Sequence, residues 1–130
     1  MKTSSAKAKG RRCQDLVRDA LRALGITRGL VDDDILGRGM GQNGVDVILT
    51  PAAMKVFPLD IECKNVESLN VTTTFWKHFN VYKDRATSKI LVHMKNHHKP
   101  LVTILFSEYL ILLEQSLRLK ESEAKTVHAS

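Results

Sequence analysis

At 130 residues the chain has the length of one domain. It can bury a core without staples, and 43% hydrophobic against 26% charged residues excludes wholesale disorder. No apolar run approaches the roughly 18 residues that a bilayer span needs, and the polar, basic stretch from Met1 to Arg12 has no apolar segment of a secretory signal, so an intracellular protein with no membrane partner is expected. Twenty Lys and Arg against 14 Asp and Glu leave a net charge of +6, which favours a polyanionic partner without requiring one.

Residues 1–10 read as a flexible basic arm. Lys2, Lys7, Lys9, Arg11 and Arg12 precede the first acid, Asp15, and such an arm suits nucleic acid, because each neutralised phosphate releases condensed counterions. From Arg11 to Leu24 the apolar residues Cys13, Leu16, Val17, Ala20, Leu21 and Leu24 recur at spacings of three and four, predicting an amphipathic helix that stops at Gly25. Gln14 falls on the inward stripe with Leu21, where a polar side chain needs a partner. The two cysteines, Cys13 and Cys63, form no C-x-x-C pair and are read as small buried hydrophobes.

Residues 32–44 form a glycine-rich loop. Gly39-x-Gly41-x-x-Gly44 matches the dinucleotide fingerprint by letters, but it leads into a strand and not a helix, so nucleotide binding is rejected and a mobile loop is expected. Val45, Val47 and Leu49 then alternate with Asp46, Ile48 and Thr50, a strand that Pro51 ends, and Ala52 to Phe57 predicts a helical turn. In the next strand Leu59, Ile61 and Cys63 share one face, and Asp60, Glu62 and Lys64 the other; Asp60 is expected as an exposed residue at the strand's start. A helix beginning near Thr72 to Thr74 carries Phe75, Phe79 and Tyr82, its aromatics (Trp76 among them) read as core before base-stacking groups. Lys89 to Met94 and Leu101 to Phe106 predict strands covered on both faces, joined by a polar turn holding His97 and His98. Ser107 is the expected cap of a last helix that holds Tyr109, Leu110, Leu112, Leu113 and Leu117, and residues 119–130 form a polar tail. The order predicts a single α/β domain over residues 11–118, a mixed central sheet flanked by helices.

Chemistry concentrates on two strands. If the strands of Asp46 and of Glu62 pair as a hairpin-like unit, Asp46, Glu62 and Lys64 share one face. Two carboxylates brought together in a half-buried site repel each other unless a cation neutralises them. Mg²⁺ suits such a site, because it takes one or two carboxylates and accepts phosphate oxygens as further ligands. Lys64 is placed to stabilise the developing charge, and the Cys63 backbone carbonyl is a further candidate ligand. The plainer reading is a solvated strand face with a minor salt bridge.

The sequence Gly44-Val45-Asp46-Val47, then Ile61-Glu62-Cys63-Lys64-Asn65 on the following strand, behind an amphipathic helix opened by Lys9-Gly10-Arg11-Arg12, resembles the PD-(D/E)XK nuclease superfamily. Within it the chain is similar to small phage-encoded nucleases and to archaeal-type Holliday junction resolvases, over roughly residues 9 to 113. The departures are Val45 in place of the motif's proline and Gln14 in place of a first-helix glutamate. The resemblance implies a restriction-endonuclease-like fold and a Mg²⁺-dependent DNA endonuclease, with Mn²⁺ as a substitute. It implies Asp46, Glu62, Lys64 and Gln14 as catalytic residues, and Asp46, Glu62 and the Cys63 carbonyl as metal ligands. DNA is expected to contact Lys7, Lys9, Arg11, Arg12, Arg38, Asn65, Lys95 and Lys99. Branched DNA, a homodimer and a phage-encoded protein in a bacterial or archaeal cytoplasm follow from the same resemblance. The alternatives are a general duplex or single-strand nuclease and a non-catalytic DNA-binding module.

Overall fold

The computed structural model describes residues 4–39 and 44–129; Lys2 of the basic arm and residues 40–43 of the glycine-rich loop lie outside the described residues. The first helix, α1 (Ser4–Gly25), starts seven residues before the point the apolar periodicity marks, so the arm expected over 1–10 is helical from Ser4 onward. Cys13, Val17 and Leu21, one turn apart, are buried, whereas Leu16 and Leu24 at the stripe's margins stay half-exposed. Gly25 does not stop the helix by a left-handed turn: its φ of −77° is helical. A short 3₁₀ turn over residues 26–28 follows, and the left-handed residue is Gly29 at φ 82°, a conformation glycine adopts without penalty.

The segment expected as a loop contains a strand. β1 (Ile35–Gly37) pairs antiparallel with β2 (Val47–Leu49), Ile35 opposite Leu49 and Gly37 opposite Val47. The turn expected after Pro51 is α2 (Pro51–Val56), with Thr50 accepting from the Ala53 N–H and Pro51 in the first turn, where its missing N–H costs nothing. β3 (Leu59–Asn65) runs parallel to β4 (Ser88–Met94), and α3 (Val71–Tyr82), capped by Asn70, is the crossover between them. β4 pairs antiparallel with β5 (Leu101–Thr103), giving a mixed sheet of order β3-β4-β5. Helix α1 packs across β1, β3 and β4, and α3 packs against β4. The core, with Ile35, Ile61 and Val47 almost fully buried, lies between α1 and the two sheets. The chain is thus one small α/β domain.

The last helix departs most from expectation. α4 (Phe106–Ala129) begins one residue before Ser107, so Ser107 lies in its first turn and is not its cap, and it continues through the stretch expected as a tail. Tyr109, Leu110, Leu112, Leu113 and Leu117 are 39–56% exposed, so the apolar side chains of this helix stay largely open. Among the described residues no helix is long and apolar enough to cross a membrane.

Candidate active site

Asp46 sits just before β2, where its backbone is stitched on both sides: its N–H donates to the Ile61 carbonyl at 3.1 Å, and its carbonyl accepts from the Arg38 N–H at 2.8 Å. The expected hairpin between the Asp46 and Glu62 strands is replaced by β1-β2 pairing, and the Asp46–Ile61 bond brings Asp46 to the flank of β3 instead. Its carboxylate is gripped at both ends. Oδ1 accepts from Gln14 Nε2 at 3.1 Å, and Oδ2 accepts from the Cys63 N–H at 2.7 Å. The inward amide on α1 therefore finds its partner in Asp46. Because the N–H and C=O of one strand residue point to the same side, the Cys63 carbonyl also faces Asp46.

Glu62, one position before Cys63, meets three groups. Lys64 Nζ lies 3.8 Å from Oε1, and His78 Nδ1, on α3, lies 3.6 Å from Oε2. The third is Asp46. Burial first, then the charge and hydrogen bonding of Asp46, push the Glu62 carboxyl up to about 7, and Lys64 and Lys77 only partly counter this. The two acids thus stand close enough to resist double ionisation. Lys77 and His78 belong to the site although nothing in the sequence singled them out beyond their helical register with Thr74; only the crossover over β3 brings them to Glu62.

Glu62 opens onto a cleft of about 530 Å³ between β3 and α3, with Lys64, Lys77 and His78 in its wall. Val66 and Leu69 are shared with a neighbouring depression of about 430 Å³ bordered by Lys95, His98 and Lys99. On the other flank of Gln14, Arg11, Arg18 and Arg38 converge on a hollow of about 170 Å³. Arg38 donates to the Val45 carbonyl at 2.6 Å and lies across Gly44, whose φ is 112° and where a Cβ would come within 2.9 Å of the guanidinium. Lys7 and Arg12 are exposed on α1, and Lys9 is paired with Glu67 at 3.5 Å. Asn65 is not part of that cationic surface. It is 7% exposed, and its amide donates to the Lys9 carbonyl at 2.8 Å, tying α1 to the end of β3.

Asp60 also departs from expectation. It is fully buried, because the segment after α3 folds over the start of β3. Thr87 Oγ1 donates to its Oδ2, Arg85 Nη2 lies 3.2 Å from Oδ1, and Lys89 Nζ lies 4.0 Å from Oδ2. Lys89 is itself buried and donates to the carbonyls of Arg85 and Thr87 at 2.7 and 2.8 Å. The cysteines are buried as expected; hydrogen bonding to Cys13 and burial raise the Cys63 thiol, which stays protonated. Among the described residues, no three His, Cys, Asp or Glu side chains converge as a ready-made metal cluster. No known protein family, characterised protein or solved structure matches the chain.

Proposed function

We propose that this protein is a divalent-metal-dependent DNA endonuclease of the PD-(D/E)XK type, acting foremost on branched DNA such as Holliday junctions, with Mg²⁺ as its cation and Mn²⁺ as a substitute. The observation that carries the reading is the pair of facing acids, Asp46 and Glu62, where burial and then the neighbouring Asp46 lift the Glu62 carboxyl to about 7, with Lys64 3.8 Å away. The donor set fits a hard divalent cation: two carboxylates and the Cys63 carbonyl are oxygen ligands, and the open cleft leaves room for water and phosphate. Asp46 and Glu62 would hold the ion, which when bound supplies charge neutralisation and Lewis-acid polarisation of the scissile phosphate.

The chain's own groups do the rest. Gln14 and the Cys63 N–H fix the Asp46 carboxylate by one bond on each oxygen, so that it need not reorganise as substrate enters. Lys64 and Lys77 present positive charge in the same cleft, where the attacked phosphate gains negative charge, and Lys64 is the group placed to stabilise it. Arg11 and Arg38 on one flank, beside an Arg18 that is ion-paired with Asp15 and Asp19, and Lys95 and Lys99 on the other extend the cationic track along which a phosphate backbone would run. A homodimer goes with this reading, because opposed strands of a junction are cut symmetrically by a twofold enzyme. Supporting it, Phe106, Leu110, Leu113 and Leu117 recur as a seam along α4 and are 39–74% exposed, the pattern by which two helices pair. A cytoplasmic, phage-encoded enzyme is the setting in which such a substrate arises.

The test is cleavage of labelled four-way junction, flap, linear duplex and single strand by the pure protein with Mg²⁺ or Mn²⁺, alongside Lys64→Ala and EDTA controls. Paired symmetric cuts in the junction, lost in both controls, are expected. Cuts in every substrate would replace the junction reading with a general nuclease. Binding without cleavage under both metals would leave a DNA-binding module.

A further inference from the structure

His78 is 4% exposed, and its two ring nitrogens have unequal surroundings. Nε2 lies 2.9 Å from the Asp60 carbonyl. A carbonyl only accepts, so Nε2 donates to it, which leaves Nδ1 as the nitrogen free to take another partner. Nδ1 is buried, has no hydrogen-bond partner and faces Glu62 Oε2, 3.6 Å away. That separation is beyond hydrogen-bonding range, and a buried nitrogen without a partner is unfavourable unless something occupies the gap. The spacing is close to the roughly 3.0–3.4 Å that separates two donors held about 2.1 Å from one ion at angles of 90–109°. The ring cannot swing away: Tyr82, one turn on, packs edge-on against it with centroids 5.2 Å apart. An imidazole that donates one N–H to a backbone carbonyl and directs its other nitrogen at a carboxylate-lined space has the arrangement of a metal-ligating histidine with its supporting contact.

We infer that His78 Nδ1 is a ligand of the divalent cation held at Glu62, which makes the centre a mixed nitrogen–oxygen site that accepts first-row transition ions such as Mn²⁺, Co²⁺ or Ni²⁺ alongside Mg²⁺. This rests on the reading of Glu62 as a metal ligand and adds to it a donor of different chemistry. Imidazole nitrogen favours borderline ions, whereas a site of carboxylate, carbonyl and water alone suits Mg²⁺. Two other histidines among the described residues are engaged elsewhere. His93 bonds Thr103, and His98 bonds the Asn96 carbonyl in the β4–β5 turn.

The experiment is pulsed electron paramagnetic resonance of Mn²⁺ bound to the full chain, paired with calorimetric titrations of Ni²⁺ and Mg²⁺, on the wild type, His78→Gln and Glu62→Gln. A ¹⁴N coupling from a ligated imidazole is expected in the wild type and absent in both variants. Ni²⁺ affinity should fall about 10–100-fold in His78→Gln, with Mg²⁺ affinity changed less than about threefold. The wild-type spectrum needs no variant to fold. Bound Mn²⁺ without nitrogen coupling, coupling that survives His78→Gln, equal losses for Ni²⁺ and Mg²⁺, or no bound ion at all would each overturn the inference. Cleavage of DNA is read separately. Cutting with no nitrogen coupling keeps the nuclease and removes His78 from its metal, whereas coupling without cutting keeps the metal centre and removes the nuclease.

Discussion

Asp60 and Glu62 leave one face of β3 two residues apart, and their surroundings differ in kind. Asp60, where the strand begins, is sealed from water and surrounded by Thr87, Arg85 and Lys89. Glu62, in the middle of the strand, remains 24% exposed, faces a second acid, and has its nearest ammonium 3.8 Å away. The first carboxylate is neutralised by the fold and holds the segment after α3 onto the sheet. The second is left short of positive charge, and its carboxyl rises to about 7. An acid that the fold surrounds with cations is architecture; one that it crowds against another acid and opens to a cleft is where a cation or a proton is wanted.

The largest effect expected from breaking this comparison is at Asp60. Asp60→Ala leaves the Lys89 ammonium, 4% exposed, without its carboxylate, and loss of one partner of a buried pair costs about 3–5 kcal/mol. Urea unfolding should show a lower midpoint with an unchanged slope. A cost under about 1 kcal/mol would mean that the carbonyls of Arg85 and Thr87 satisfy Lys89 alone, by comparison with the net worth of ordinary hydrogen bonds. Next comes Lys64→Ala, expected to lower the cleavage rate about 10²–10³-fold, the usual loss when one charge-stabilising donor is removed. Its unfolding midpoint should stay near wild type, because Lys64 is 43% exposed. A matched loss of stability and rate would make Lys64 a structural residue.

Glu62 makes the opposite prediction for stability. The folded protein keeps this carboxyl protonated up to about 7, while the unfolded chain releases the proton near its ordinary value of 4.5. Between those values the unfolded state binds fewer protons, so stability falls as pH rises through the window and the full penalty is present above about 7. Glu62→Gln removes the ionisation. In EDTA it should therefore be more stable than wild type at pH 8 by about 1–3 kcal/mol, and equal to it near pH 4. A difference that does not vary with pH would show that the crowding of Glu62 by Asp46 costs the fold nothing.

How much of this was legible in the sequence follows from which forces act locally. Glu62 and Lys64 were readable as one face of a strand because alternation is a property of neighbouring residues. Asp46, expected mid-strand in a hairpin with them, lies just before β2 and reaches the flank of β3 through its N–H and the Ile61 carbonyl. The inward position of Gln14 on α1 followed from helical spacing. The partner of Gln14 did not, since Asp46 meets α1 only after β1 has paired with β2. Asp60 was misjudged because a charged residue at a strand's start is ordinarily exposed, and its cations come from a segment 25 and 29 positions away, at Arg85 and Lys89. His78 carried no signal, lying among helix residues chosen for register. In α4 the apolar residues were legible, but a run of apolar residues does not name what covers them.

The smallest effect separates holding a ligand from being one. Gln14 donates to Asp46 Oδ1 while the Cys63 N–H holds Oδ2, so Gln14→Ala frees one oxygen and leaves the other fixed. Loss of such a supporting contact costs about tenfold at the lower end of its usual range. The loss should appear in the Mn²⁺ concentration that gives half-maximal cleavage, with the rate at saturating Mn²⁺ largely kept, because excess cation restores occupancy of a site that has merely been loosened. An unchanged Mn²⁺ requirement would reduce the Gln14 contact to packing, and a rate that saturating Mn²⁺ does not restore would place Gln14 among the groups that act on the phosphate itself.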